Sequence, residues 1–365
     1  MKFIKTICRG YNMKLPILQQ GIIIPGRTDD RKNILITSEG FEERSLEWLR
    51  SLEGQDLFDS AIVFKNVPER KSRLEELLSE VKKFVLVEPT IIDFCRHDVE
   101  ESEFNIRMTL DSLCAKENNI YIDISVMSRV LIVILICMFK ECKFNLFIIY
   151  CEPEDYAPSQ DVFYEYLEKQ QIASIAPSSG FRQVIRTPLL SSTVMQDAPT
   201  VAVGFTSFNE QLLRALLSSL NPTNLFLINS IPPSLFWRAQ ATLLVHKDII
   251  REYNYDNPID KYDGLLKRRS STLFYQETVD IIASIYIKYC YTHRIVIAPT
   301  GSKMQAIACG LIKACCHDVH IEYPTPESYF IDNYSSSKIK NIHYIEFINF
   351  HELLRQYSEA TGLNG

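Results

Sequence analysis

The sequence is poor in glycine and has no excess of positive charge. Its 365 residues include 12 glycines, and neither the Gly-x-Gly-x-x-Gly loop of dinucleotide-binding proteins nor the Gly-x4-Gly-Lys-Ser/Thr loop of P-loop proteins occurs. These absences argue against an ordinary NAD dehydrogenase, a kinase and a P-loop ATPase. The net charge of −6 and the pI near 5.7 argue against a protein that coats nucleic acid through bulk charge.

Metal-binding patterns and membrane-spanning runs are also missing. The ten cysteines form no Cys-x-x-Cys pair and the seven histidines form no cluster, so we expect no metal site and no cofactor. Cys315 and Cys316 are adjacent within an apolar helical pattern, which favours buried free thiols. The longest apolar run, residues 130–139, is too short to cross a bilayer, and no signal peptide is recognisable. We therefore expect a cytoplasmic location and no membrane partner.

What the sequence does contain is a repeated pattern. An apolar strand at residues 33–37 leads into Ser38-Glu39-Gly40-Phe41, and a second one at residues 200–203 leads into Gly204-Phe205. In both places Gly-Phe is followed by seven residues and then by Leu-Arg. The shared spacing indicates two copies of one strand-to-helix unit.

Later segments of the two halves match in the same order. The strands at residues 120–124 and 294–298 each lead into a polar turn, Ser125–Arg129 or Pro299–Lys303, and then into an apolar helix. A further strand and a Pro-Glu-x-Tyr sequence follow in both halves. Four matches at a nearly constant offset predict an internal duplication.

Strands alternate with helices throughout both halves, which predicts an α/β fold. Short Val/Ile/Phe-rich runs, such as residues 61–64 and 84–87, are typical of parallel strands covered on both faces. We predict two tandem Rossmann-like parallel-sheet units, each closed by one more strand, at residues 183–186 and 343–347. The predicted parts are an N-terminal arm (1–32), a first unit (33–190), a second unit (198–348) and a C-terminal helical tail (349–365).

Ligands of open parallel sheets bind beyond the carboxyl ends of the strands, near a switch in strand order. The loops that follow the strands therefore supply the candidate site. The candidate ligand-binding residues are Ser38, Gly40, Phe41, Arg44, Ser125, Ser128 and Arg129 in the first half, and Gly204, Phe205, Ser207, Asn209, Thr300, Gly301, Ser302 and Lys303 in the second.

The Thr300–Lys303 turn is the most informative of these segments. A glycine between hydroxyl residues lets backbone N–H groups approach an anion, and the helix N-terminus and Lys303 add positive charge. Alternatively, Ser302 only caps the helix and Lys303 is solvated. Ser128-Arg129 offers a hydroxyl and a cation at the matching position of the first half, which favours the anion site.

Acidic residues near the strand ends are candidates for catalysis. Glu39 and Asp123 could act as a general base, and Glu39 and its neighbours could also bind a ribose hydroxyl or a metal. Glu42 and Glu43 could instead favour the start of a helix through its dipole. Arg44 could reach a phosphate or pair with these acids.

These residues resemble a known family. A Rossmann-like half with the Thr300–Lys303 turn after a late strand looks like a CRISPR-associated Rossmann-fold (CARF) domain, and two such halves resemble the SAVED sensors of bacterial anti-phage systems. The usual turn in those families is Thr-Gly-Gly-Thr-Lys or similar, so the turn here is a shortened variant and Ser125–Arg129 departs further. The architectural resemblance covers roughly residues 33–345.

The resemblance implies that a cyclic or linear oligonucleotide second messenger binds in a cleft between the two halves. It also implies signalling to a nuclease or another effector in a prokaryotic antiviral defence system. The effector would be a separate polypeptide, or this protein would itself be a messenger-degrading CARF enzyme. Two alternatives remain open. One is a hydrolase of nucleotides or phosphorylated sugars that uses Asp123 or Glu39, and the other is a non-catalytic assembly subunit that docks a partner protein.

Overall fold

Strands and helices alternate along the chain in a computed structural model, which describes residues 14–26, 31–68, 72–114, 117–253, 268–330 and 338–363. The strands are β1 Gln19–Gln20, β2 Asn33–Ser38, β3 Ser60–Val67, β4 Thr90–Cys95, β5 Asn119–Asp123, β6 Asn145–Pro153, β7 Ser178–Ser179, β8 Gln183–Ile185, β9 Thr200–Phe205, β10 Asn224–Ile231, β11 Arg269–Ser271, β12 Arg294–Ile297, β13 His320–Ile321, β14 Tyr323–Thr325, β15 Ser328–Tyr329 and β16 Ile339–Phe347. The helices are α1 Glu47–Arg50, α2 Leu74–Val81, α3 Val99–Cys114, α4 Arg129–Phe139, α5 Gln160–Glu168, α6 Glu210–Leu220, α7 Trp237–Val245, α8 Lys247–Tyr253, α9 Tyr275–Tyr289, α10 Lys303–Cys315 and α11 Phe350–Thr361. Within the described ranges, every helix is too short or too polar to cross a membrane.

The chain divides into two compact units, and neither is a single continuous stretch. Unit 1 consists of Met1–Leu131, Met138–Asp155 and Ser335–Asn364. Unit 2 consists of Ile132–Cys137, Tyr156–Tyr334 and Gly365.

Unit 1 is built on a seven-stranded sheet in the order β1-β16-β6-β5-β2-β3-β4. The strands from β6 to β4 are parallel, whereas β16 pairs antiparallel with β6 and β1 pairs antiparallel with β16. The central strand β2 is buried at all six positions, as expected for an apolar strand covered on both faces.

Unit 2 is built on a five-stranded parallel sheet in the order β11-β10-β9-β12-β13. Two short antiparallel pairs accompany it, β14 with β8 and β15 with β7. The unit therefore has the same class of architecture as unit 1.

The α/β fold class is confirmed, and the parallel cores of the two sheets share one strand order. Numbered along each unit, both cores run 3-2-1-4-5. This order is what a duplication requires, but it is also that of the doubly wound dinucleotide-binding fold. The internal duplication therefore stays a prediction.

The predicted boundaries of the units differ from the observed ones at both ends. Strand β16 lies within the predicted second unit, yet it hydrogen-bonds to β6 along Ile339–Phe347 and belongs to unit 1. Strand β8 lies within the predicted first unit, yet it pairs with β14 in unit 2. Each predicted unit thus supplies a strand that pairs in the other observed unit. Residues 1–13, 27–30 and 364–365 of the predicted arm and tail lie outside the described residues.

Two predicted strands are corrected. Residues 84–87 contribute a turn and one isolated bridge, from Phe58 to Val85, and the actual edge strand is β4. The further strand predicted after the apolar helix of the second half, at residues 319–323, is interrupted at Glu322 between β13 and β14. The buried Glu322 carboxylate accepts hydrogen bonds from Arg186 (2.7 Å) and Arg294 (3.2 Å), so the break holds an ion-paired group.

The amino ends of three neighbouring strands in unit 1 are joined by an asparagine ladder. We define it as Asn33, Asn119 and Asn145, the first residues of β2, β5 and β6. Asn145 donates its side-chain N–H to Asn119 (2.9 Å), and Asn119 donates to Asn33 (3.0 Å). Asn33 donates in turn to the carbonyls of Gly26 and Leu57, both at 3.1 Å. The ladder fixes strand register and holds residue 26 against the sheet.

Candidate functional site

The strand order defines a switch point in each unit. The first and fourth strands are neighbours, β2 beside β5 in unit 1 and β9 beside β12 in unit 2, and the order reverses between them. Ligands of doubly wound sheets bind beyond the carboxyl ends at such a point. The loops after these four strands are those that carry the sequence-predicted site residues.

In unit 2 the two switch-point loops are tied together by Thr300. Its hydroxyl donates to the carbonyl of Phe205 and accepts from the N–H of Phe205, both at 3.3 Å. Thr300 and Phe205 are buried, so they support the two loops from within the unit.

The turn into α10 is a complete capping box. Ser302 accepts from the N–H of Gln305 (3.1 Å), and the Gln305 side chain accepts from the N–H of Ser302 (2.8 Å). Ser302 also donates to the carbonyl of Thr272 (2.7 Å). The expectation that Ser302 caps the helix is thus met, and its hydroxyl is engaged on both sides.

Gly301 is required by close approach. A Cβ built there would lie 2.1 Å from Gln305 Oε1 and 3.0 Å from Phe205 Cγ. The glycine therefore allows the Gln305 side chain to fold back over the turn.

Gln305 is the centre of a buried network that the sequence prediction missed. Its Oε1 accepts from Ser230 (3.2 Å), and its Nε2 donates to Ser270 (2.9 Å), which also receives a bond from Thr278 (3.0 Å). Ser230 and Ser270 lie opposite each other on the neighbouring strands β10 and β11, each one residue before the carboxyl end of its strand. The Ser-x-x-Gln spacing of the capping box was the available signal for Gln305.

The loop after β9 is also held by local bonds. Asn209 caps α6 by accepting from the N–H of Leu212 (3.3 Å), and its side chain donates to Ser178 (2.6 Å). The Ser207 hydroxyl accepts from the N–H of Asn209 at 3.2 Å. Gly204 packs against Leu213, because a Cβ there would approach its Cδ1 to 2.9 Å.

Lys303 adds a positive charge at the turn before α10. It is the first residue of α10, and Gly301, Ser302 and Lys303 are all partly exposed. A helix N-terminus carries partial positive charge, so a cation at its first position makes the turn suitable for an anionic ligand.

The switch point of unit 1 is closed by packing. A Cβ on Gly40 would lie 2.7 Å from the Cβ of Val126, so the loops after β2 and β5 are in direct contact. Ser128 caps α4 by accepting from the N–H of Leu131 (3.4 Å), and Arg129 is the first helical residue. Ser128 and Arg129 are partly exposed and occupy the place that Ser302 and Lys303 have in unit 2.

Other predicted residues of unit 1 have structural partners instead. Arg44 is buried and donates two hydrogen bonds to Glu42, both at 2.9 Å, and a third to the carbonyl of Cys151 (3.2 Å). Of the two roles expected for Arg44, the structure has the ion pair with an acid. The buried Ser38 hydroxyl donates to the carbonyl of Glu39 (3.2 Å), while Phe41 remains partly exposed.

The two candidate catalytic carboxylates are buried. Glu39 is 1% exposed, and it accepts from the N–H of Asn66 (2.6 Å) and from the hydroxyl of Ser72 (2.7 Å). Asp123 is 2% exposed and accepts from the N–H of Ser125 at 2.8 Å. The Glu39 carboxylate therefore ties the loop after β2 to β3 and to the segment that follows it, and the Asp123 carboxylate fixes the turn after β5.

The thiol of Cys151 lies near the Asp123 carboxylate. The backbone N–H of Cys151 donates to the Ser125 hydroxyl at 2.8 Å. Burial, with the nearby charge of Asp123, raises the pKa of the Cys151 thiol to about 12, so this thiol is not a nucleophile at neutral pH. Cys316 is buried as well, while Cys315 is partly exposed. Within the described ranges, no group of three or more His, Cys, Asp or Glu side chains is placed to hold a metal ion.

Comparison with known proteins adds little. No family model matches the chain, and no curated protein matches it. One solved structure that matches is the cytoplasmic domain of a prokaryotic cation chloride cotransporter. The match covers 82% of this chain and 98% of that one, at 9% identity and a TM-score of 0.24. This likeness is too low to carry an argument.

Proposed function

We propose that the protein is a nucleotide sensor of a prokaryotic defence system, which binds a cyclic or linear oligonucleotide second messenger without turning it over and signals to a separate effector protein. The observation that carries the proposal is the unit 2 switch point. There Gly301, Ser302 and Lys303 stand partly exposed at the start of α10, on a base of buried and hydrogen-bonded side chains.

The chemistry of this turn suits a phosphate. The helix N-terminus and Lys303 attract an anion, while the capping box and Thr300 hold the backbone in place before the ligand arrives. A site fixed in advance loses less conformational entropy on binding than a flexible loop does. The resemblance of the Thr300–Lys303 turn to CARF domains points to an oligonucleotide rather than to a simple phosphate.

The state of the carboxylates favours a sensor over a hydrolase. Glu39 and Asp123 are each no more than 2% exposed and are bonded to backbone N–H groups. A general base must come within hydrogen-bond reach of the proton that it removes. In this conformation neither group does so for a ligand above the sheet.

A second candidate function is protein docking through unit 1. Strand β4 is an edge of the seven-stranded sheet, and Ile91 on it is 47% exposed. Leu86 and Val87 before the strand and Phe104 on α3 are also exposed. Edge strands with exposed apolar side chains are common docking points for other chains.

The test is a thermal-shift titration with cyclic di-, tri- and tetranucleotides, linear oligonucleotides, NAD and ADP-ribose. A ligand present at 100 times its dissociation constant stabilises the folded state by about 2.7 kcal/mol. We expect stabilisation by an oligonucleotide and its loss in Lys303→Ala. The matched control is Lys288→Ala, which removes the same charge from the exposed last turn of α9 in the same unit.

Each outcome decides between the candidates. Stabilisation that survives Lys303→Ala contradicts the assigned site, and no stabilisation by any compound contradicts the sensor itself. Release of a cleaved product during incubation would support the hydrolase instead. Self-association or partner capture that is abolished by Ile91→Lys would support docking through β4.

A further inference from the structure

A groove in unit 1 opens at the amino ends of the strands of its sheet, whereas the sequence-predicted site residues of that unit follow the carboxyl ends. It has a volume of about 560 Å³, within the ~300–1,000 Å³ of small-molecule pockets. Asn119 and Asn145, the first residues of β5 and β6, line it, so it opens at the amino ends of the strands. The proposed nucleotide site uses none of its residues.

The floor of the groove is aromatic and rigid. Tyr121 and Phe147 stack on neighbouring strands, with ring centroids 4.5 Å apart and planes within 10°. Trp48 stacks on the far side of this pair, at 6.5 Å from Tyr121. The asparagine ladder fixes the strand ends below, and Ile23 and Ile24 provide an apolar wall.

The groove also presents two opposite charges. Glu346 on β16 is half-buried, opposite Phe147 in the strand register. Burial, and to a smaller extent the charge of Glu346, raises the pKa of the Tyr121 phenol to about 12. The Glu346 carboxylate therefore lies close to the aromatic floor. No hydrogen bond or ion pair within the described part of the chain engages it.

Arg31 supplies the positive charge. One guanidinium nitrogen, Nη2, donates to Glu117 at 2.8 Å. The other, Nη1, is buried and makes no hydrogen bond within the described residues. A buried donor without a partner is costly, and a ligand oxygen would satisfy it.

We propose that this groove binds a small zwitterion, a free α-amino acid with an apolar or aromatic side chain. Glu346 accepts from the ammonium group and Arg31 donates to the carboxylate. The side chain lies on Tyr121 and Phe147 against the isoleucine wall. Oppositely charged partners with an aromatic surface between them match this ligand class better than a polyanion, which Glu346 would repel.

The experiment is thermal shift followed by calorimetry with the twenty free L-amino acids, using the full chain. We expect one or a few apolar or aromatic amino acids to raise the melting temperature. Their N-acetyl and C-terminal amide derivatives, which each lack one charge, should bind about tenfold more weakly or worse. Glu346→Gln should weaken binding of the amino acid by a similar factor.

A matched pair of variants tests the guanidinium. Arg31→Gln removes the guanidinium charge and its Nη1 donor from the groove, whereas Glu117→Gln removes only the charge of its partner outside the groove. We expect loss of binding in the first and retention in the second. No shift with any amino acid, equal binding of the N-acetyl derivative, or unchanged binding in both Arg31→Gln and Glu346→Gln would overturn the proposal. Because this proposal is independent of the nucleotide proposal, Lys303→Ala serves as a further control that should retain amino-acid binding.

Discussion

The Gly301→Ala substitution tests whether the switch-point turn of unit 2 is as rigid as the structure indicates. The added methyl carbon would lie 2.1 Å from Gln305 Oε1, so the Gln305 side chain must move. That side chain is fully buried and bonded to Ser302, Ser230 and Ser270, so moving it breaks all three contacts.

The size of the effect follows from the lost bonds. The disrupted cap costs about 0.5–2 kcal/mol, and buried hydroxyls left without partners cost about 1–3 kcal/mol. We expect Gly301→Ala to lower the free energy of unfolding of unit 2 by about 2–4 kcal/mol. Gln305→Ala should cost a similar amount because it removes the same bonds.

The double variant separates the steric cause from a general effect of alanine. Once Gln305 is shortened, the close neighbour left to the methyl group at position 301 is Phe205 Cγ at 3.0 Å, so the double variant should be only slightly less stable than Gln305→Ala alone. The expected coupling energy is therefore about 2–4 kcal/mol, well above the range for independent sites.

The assay uses the two tryptophans of the chain, one in each unit. In a Trp48→Phe background, the fluorescence of Trp237 follows urea unfolding of unit 2 alone. A Gly301→Ala variant within about 0.5 kcal/mol of its parent, or costs that simply add in the double variant, would refute the reasoning.

Two further predictions concern other groups of unit 2. Burial lowers the pKa of His246 to about 4, so the unfolded chain takes up a proton there first as the pH falls. The contribution of neutral His246 to the free energy of unfolding is complete above about pH 6.5, and roughly 3 kcal/mol of stability is lost by pH 4. His246→Gln should flatten the pH dependence of urea unfolding over this window, and parallel curves would contradict the assignment. Arg238 donates to three consecutive carbonyls of residues 156–158 at 2.8–3.0 Å and lies 4.5 Å from the Phe208 ring. Arg238→Lys cannot reproduce this planar fork and should cost about 2 kcal/mol by circular dichroism, and an unchanged midpoint would refute the role.

Local patterns predicted the central strands well and the edges poorly. The apolar runs that became β2, β5, β9 and β12 are buried on both faces, so their composition is distinctive. The edge strand β4 alternates exposed and buried residues and was missed, whereas the apolar run at residues 84–87 was taken for a strand. An edge strand receives only one set of hydrogen bonds, so sequence alone marks it weakly.

The candidate residues lie in loops after the central strands, as the sequence predicts, but the state of their side chains is not predictable from the sequence. Nothing in the spacing of Glu42 and Arg44 distinguishes an ion pair from a phosphate contact, because the outcome depends on the turn between them. The burial of Glu39 and Asp123 depends on which segments pack over each strand end. Ser230 and Ser270 contact Gln305 because the sheet brings their strands close to α10. Such contacts between distant segments leave no periodic trace in a single sequence.

The pairing of strands from different halves of the chain has a consequence during synthesis. Strand β16, which pairs with β6 over nearly its whole length, leaves the ribosome almost two hundred residues after its partner. Until then the edge of β6 is unpaired. The nascent unit 1 then depends on chaperones or on rapid folding to avoid pairing with strands of other chains. A premature stop before residue 339 would therefore leave the first sheet of the chain incomplete, although all of its parallel strands had been made.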